Sequence, residues 1–205
     1  MKVLLVNGSV HENGCTYTAL AEVAKALNAG GVETEIYQLA KSQVQGCRGC
    51  WACKKTKKCV IEDGVNEFVA KAAQFDGFVF GSPVYYASAS GGLVSFMDRV
   101  FYSGGKNLAY KPAAAVVSCR RAGASTTFDV INKYFTINNM PVVGSNYWNE
   151  IHGNTAEEAL QDEEGLQTMR ILGNNMAWLL KCIKLGKEAG VEIVKERKVM
   201  TNFIR

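Results

Sequence analysis

Lys2-Val3-Leu4-Leu5-Val6-Asn7-Gly8-Ser9-Val10-His11-Glu12-Asn13-Gly14-Cys15-Thr16 opens the chain, and its reading decides the class of fold. Val3 to Val6 is a short β-branched and apolar run ended by Asn7-Gly8-Ser9, and apolar residues then recur at helical spacing over 18–27. This is a strand, a polar loop and a helix. Residues 34–39 alternate like a second strand, 77–80 make a continuous apolar third, and 113–117 and 141–144 read as the fourth and fifth. Helical stripes lie between them at Val65, Phe68, Val69 and Ala72, at Leu93, Phe96, Met97 and Val100, and over 126–138. Residues 155–187 read as one or two further helices, with Thr155 to Glu158 fitting a capping box. Alternating strands and helices predict a doubly wound α/β domain: a five-stranded parallel sheet with helices on both faces, because parallel strands need right-handed crossovers. Ligands of such sheets bind beyond the carboxyl ends of the strands, so loops 8–18, 82–91 and 118–126 are expected to share one crevice.

The length of 205 residues suits one domain. We expect it to span 1–187, with a cysteine-rich insertion at 46–60 and a tail at 188–205. At 48% hydrophobic and 20% charged, the composition is that of an ordinary water-soluble domain. No run approaches the roughly 18 apolar residues of a membrane span, and the apolar start is too short for a signal peptide, so a membrane partner is excluded and a reducing cytoplasm is expected. The net charge is only +4, yet residues 41–59 carry six Lys or Arg and no Asp or Glu. That patch sits among cysteines rather than on a long amphipathic helix, which argues against nucleic acid and for an anionic cofactor or an acidic partner.

The first loop joins strand to helix, where backbone N–H groups and the helix dipole favour an anion, and Ser9, Asn13 and Thr16 add short donors. Asn13 or Thr16 would equally serve as a plain helix cap. His11 is a further phosphate donor or simply exposed. The pattern is neither G-x-G-x-x-G nor G-x-x-x-x-G-K-[ST], so a Rossmann dinucleotide site and a triphosphate P-loop are both unsupported. Gly8-Ser9 with Asn13-Gly14-Cys15-Thr16 resembles the phosphate loop of the flavodoxin-fold NAD(P)H-dependent FMN reductase family, although Val10 and His11 replace its usual Pro-Arg. A second block, Phe80-Gly81-Ser82-Pro83-Val84-Tyr85-Tyr86 with Asp98-Arg99 after a short helix, is similar to that family's isoalloxazine loop. The resemblance spans roughly residues 1 to 150 and implies a flavodoxin-like fold. It implies FMN held by Ser9, His11, Asn13, Cys15, Thr16, Pro83, Val84, Tyr85, Tyr86, Ser118 and Arg120, with NAD(P)H as co-substrate.

The physics of the second block agrees. Pro83 fixes the backbone and removes a donor, while Val84, Tyr85 and Tyr86 offer a surface for a flat ring. Arg120 and Arg121 end the fourth strand, where a guanidinium suits a pyrimidine carbonyl or a phosphate. Tyr147 and Trp148 either flank the ring of this subunit or a symmetry mate, or pack ordinarily; a homo-oligomer is expected. The flavin itself carries hydride chemistry, so no catalytic acid-base pair is required.

Cys47, Cys50, Cys53 and Cys59 read C-x2-C-x2-C-x5-C, unlike the spaced cysteines of a secreted disulfide domain. The motif resembles that of iron-sulfur flavoproteins, a branch of the same family, which implies a 4Fe-4S cluster at these four residues. Structural zinc and reduced thiols stay open as alternatives. Two functions follow: an NAD(P)H-dependent flavin or quinone-type reductase acting on a small-molecule donor or acceptor, or an electron carrier between proteins, served by a ferredoxin-like donor.

Overall fold

The computed structural model describes residues 1–41, 43–197 and 199–201. In chain order the elements are β1 (Lys2–Asn7), α1 (Cys15–Ala29), β2 (Glu33–Gln38), α2 (Ala52–Thr56), α3 (Val65–Ala72), β3 (Gly77–Tyr85), β4 (Ser88–Ala89), α4 (Gly91–Gly104), β5 (Ala113–Cys119), α5 (Ala124–Ile137), β6 (Glu150–His152), α6 (Ala156–Ala159) and α7 (Glu163–Glu188). Five strands run parallel in the order β2-β1-β3-β5-β6, and the two-residue β4 adds antiparallel to the end of β3. This is the flavodoxin-like order, whose topological switch point lies between β1 and β3.

Strand side chains alternate between faces, and each face builds its own core. Leu4, Val6, Phe78, Phe80 and Ala115 pack with Phe68 of α3, Phe96 and Met97 of α4 and Phe135 of α5. Val3, Leu5, Val79, Ala114 and Val116 pack with Leu20, Val23 and Leu27 of α1 and Met169, Leu172 and Met176 of α7. Burying each such side chain contributes about 1.5–3 kcal/mol, so both helical layers are firmly seated.

Four expectations change. The fifth strand is β6, not 141–144, which touches the sheet only where Val142 bridges Ala113. The Ala115 carbonyl, the next acceptor along β5, is taken by the Asn149 side-chain amide at 3.0 Å, and the backbone pairs again only where Glu150 meets Val117. Asp98 and Arg99 lie inside α4, because its apolar stripe continues through Val100. Neither Asn13 nor Thr16 caps α1; its N-cap is Gly14, with no side-chain bond. Thr155 Oγ1 does accept from the Glu158 N–H at 3.3 Å, but the Glu158 carboxylate takes the N–H of Asn154, one residue before the cap. Residues 191–197 are exposed and outside any helix or strand; of the tail, Lys198 and 202–205 lie outside the described residues.

Candidate functional site

At the carboxyl end of β1 the first loop is tied to the second through backbone and serine hydroxyls. Gly8 N–H donates to the Gly81 carbonyl at 2.9 Å, the Ser90 hydroxyl donates to the Gly8 carbonyl at 2.9 Å, and Ser90 N–H donates to Ser82 Oγ at 3.0 Å. Only glycine fits at position 8, since a Cβ there would stand 2.7 Å from the Gly81 oxygen. The third loop joins through the Thr16 and Ser118 hydroxyls, 2.8 Å apart and both buried. Loops 8–18, 82–91 and 118–126 therefore meet at the switch point.

Asn7, read in the sequence only as the end of the first strand and not as a site residue, shapes the first loop. Its buried side-chain amide donates to the carbonyls of His11 and Glu12 and to Gln38 Oε1, while its Oδ1 accepts from Ser9 N–H. A polar residue closing an otherwise apolar strand was the available signal. Ser9 Oγ accepts from His11 N–H at 3.0 Å, whereas the His11 and Asn13 side chains are exposed. The first amides of α1, at Cys15, Thr16 and Tyr17, have no intrahelical acceptor, and no side chain caps them, which leaves them for an anion. The Cys15 thiol turns aside to the Gly153 carbonyl at 3.5 Å, and burial pushes its pKa up.

β3 continues past Pro83 to Tyr85 and returns as β4 through a two-residue turn. Both turn residues, Tyr86 and Ala87, have positive φ (50° and 57°), the backbone that a tight hairpin demands and that glycine would hold without strain. Such strain, roughly 1–3 kcal/mol per residue, concentrates at functional loops. Gly123 (φ 87°) braces the turn, since a Cβ there would meet Ala87 Cα at 2.7 Å. Val84 is half-buried, Tyr85 is 42% exposed and Tyr86 fully so. Arg120 and the Tyr147–Trp148 pair, whose rings lie 4.8 Å apart, are also exposed. The donor set and the bare aromatic surface thus fit FMN.

The cysteine segment follows β2. Gly49, Trp51 and Lys57 take positive φ, folding the chain around the single short turn of α2. Cys47, Cys50, Cys53 and Cys59 line one small cavity of about 20 Å³, walled also by Arg99, Tyr102 and Ser103 of α4. Cys47 and Cys50 are exposed, Cys53 and Cys59 half-buried. Asn66 grips the Cys59 backbone from both sides, at 2.9 Å each way. Among the described residues no three His, Cys, Asp or Glu side chains converge on one point. Four soft sulfurs on one cavity, with two guanidinium N–H groups donated to Cys59, are the residue types that an iron-sulfur cluster takes as ligands and neighbours. Arg48, Lys54, Lys55, Lys57 and Lys58 are exposed around it, Lys54 lying 3.5 Å over the Trp51 ring.

Residues 1–155 match the model of the NADPH-dependent FMN reductase family. The chain belongs to this family. Members of the NADPH-dependent FMN reductase family are FMN-dependent oxidoreductases, and so is this protein. It is 36% identical over 192 residues to an iron-sulfur flavoprotein of Methanocaldococcus jannaschii, covering 90% of this chain and all of that one. It is 28% identical over 193 residues to the iron-sulfur flavoprotein of Methanosarcina thermophila, covering 92% and 100%. Among solved structures, RosB with its bound intermediate 8-demethyl-8-formylriboflavin-5'-phosphate superposes with a TM-score of 0.73 at 13% identity, covering 99% of this chain and 92% of that one. The NAD(P)H:quinone oxidoreductase from Methanothermobacter marburgensis gives 0.68 at 14% identity, covering 86% and 98%. At those identities the structures share the fold. Among the described residues no helix of this FMN reductase family member is long and apolar enough to cross a membrane.

Proposed function

We propose that this protein is a cytoplasmic NAD(P)H-dependent flavin or quinone-type reductase that binds FMN at the switch-point crevice and a 4Fe-4S cluster at Cys47, Cys50, Cys53 and Cys59. The observation that carries the reading is the meeting of the three loops around the Thr16–Ser118 pair, beside the uncapped start of α1. Ser9, His11, Asn13, Cys15 and Thr16 would surround the phosphate, drawing on the amides of α1. Pro83, Val84, Tyr85 and Tyr86 would present the ring face, with Ser118 and Arg120 at its polar edge. Bound FMN supplies the chemistry, accepting a hydride from nicotinamide and passing its electrons on singly or in pairs. The chain's part is to place the ring and to keep one face open. Tyr86, Tyr147 and Trp148 are exposed and would be available to a second copy.

Thr16→Val tests the crevice. The variant loses a donor to a charged group, worth about 1.5–3 kcal/mol, so FMN should bind roughly ten- to 150-fold more weakly by fluorescence titration. Unchanged affinity would place the phosphate elsewhere.

A second reading, an electron carrier, is favoured by one observation: Cys47 and Cys50 are exposed within a strip of exposed Arg48, Lys54, Lys55, Lys57 and Lys58, as docking of an acidic ferredoxin-like protein would require. Stopped-flow mixing separates the two. NADH or NADPH should bleach the flavin band of the reductase; no bleaching by either, with fast reduction by a reduced ferredoxin, selects the carrier.

A further inference from the structure

Arg99 stands in the helix that follows the flavin loop, yet its side chain points away from the crevice and into the cysteine segment. It is only 1% exposed, and every donor of the guanidinium is engaged on that segment. Nη1 donates to the Gln45 carbonyl at 3.1 Å and pairs with Asp63. Nη2 donates to the Ile61 carbonyl at 2.9 Å and to Cys59 Sγ at 3.2 Å, and Nε donates to the same sulfur at 3.3 Å. Asp63 Oδ2 also accepts from Gln45 N–H at 3.0 Å. One buried group thus holds the incoming stem at Gln45, the outgoing stem at Ile61 and Asp63, and the last cysteine of the motif.

Sulfur is a weak acceptor, and a buried guanidinium with two donors directed at it is better satisfied when the sulfur carries negative charge. Guanidinium is also a rigid, permanently charged fork, which lysine cannot imitate. We infer that Arg99 is the positioning residue of the cluster site: it anchors both stems of the cysteine segment to α4 and, through its two N–H···S contacts with Cys59, raises the reduction potential of the centre. The inference rests on the cluster reading above. Its physical basis is that hydrogen bonds to ligand sulfur and nearby positive charge stabilise the more negative, reduced form of a cluster. The role is independent of flavin binding, because no donor of Arg99 reaches loops 8–18, 82–91 or 118–126.

The test reconstitutes wild type, Arg99→Lys and Arg99→Gln anaerobically with FMN, iron and sulfide, and follows the cluster by EPR-monitored redox titration, with the FMN potential in the same samples as reference. Both variants should keep FMN at its wild-type potential while the cluster potential falls, further in Arg99→Gln, which loses the charge as well as the fork. Variants that keep FMN but take up no iron bear out the anchoring role. Equal cluster potentials in all three proteins overturn the inference, as does loss of FMN together with iron, which would make Arg99 a residue of general folding. Wild type that takes up no iron rejects the cluster itself, and the inference with it, a result separable from the others because it appears before any substitution is made.

Discussion

Cys50→Ser protein, reconstituted anaerobically with iron and sulfide, should hold less iron per chain than wild type and lose much of the visible absorption of the cluster, since one of four thiolate ligands is gone. FMN content should stay at the wild-type level. The reason lies in the separation of the two sites: Cys50 lines the cavity under Tyr102, and none of its cavity neighbours belongs to the three loops of the crevice. Equal iron in wild type and variant would leave a thiol or zinc loop as the reading. Oxygen must be kept out, because Cys47, Cys50, Cys53 and Cys59 are all free thiols close in sequence, and oxidation would pair them before iron arrives.

Asp63→Ala should be the most destabilising single change in this region. The Arg99–Asp63 pair is buried, with side-chain exposures of 1% and 10%, and removing the carboxylate leaves a guanidinium in the interior without its counter-charge. Breaking such a pair costs about 3–5 kcal/mol. For a chain of this size that lowers the unfolding temperature by roughly 6 to 20 °C. The pair also carries a pH signature. Burial pushes the Asp63 carboxyl up, but the Arg99 guanidinium and the N–H groups of Gln45 and Val65 outweigh it and hold the group below the ordinary carboxylate range. A carboxylate depressed on folding adds stability that is fully present above the unfolded value of about 3.9 and is lost as pH falls through the folded one. Thermal unfolding of wild type should therefore weaken with acid below about pH 4 more steeply than that of Asp63→Ala. Parallel pH profiles would show that the pair contributes little.

Most of the frame was legible from the chain. β1, the loop after it and α1 are local statements: Val3 to Val6 must be buried on both faces, Gly8 must let β1 and β3 approach, and helical spacing from Thr18 to Leu27 can bury only one side. The same holds for Phe78 to Phe80, and for the cysteine motif, whose spacing sits within thirteen residues. Sequence by itself thus determined the parallel α/β class, the three loops that meet at the crevice and the residue types gathered at the two candidate sites, because each rests on contacts among near neighbours or on residue type alone.

Tertiary structure decided what depends on partners far apart. Apolar character at 141–144 could not reveal that β5 would accept only one bridge there and pair instead with Glu150–His152, since strand pairing is settled by where the chain returns. Thr16 meets Ser118 across 102 residues, and the hydroxyl that reads as a helix cap in sequence becomes the link between two loops. Arg99 finds Cys59 across 40 residues and Gln45 across 54; beside Asp98 it reads as part of the flavin helix, and only packing turns its side chain into the cysteine segment. A charged side chain buried that deeply must be paired with whatever acceptors the fold brings to it, and those acceptors come together only once β2, α3 and α4 are in place.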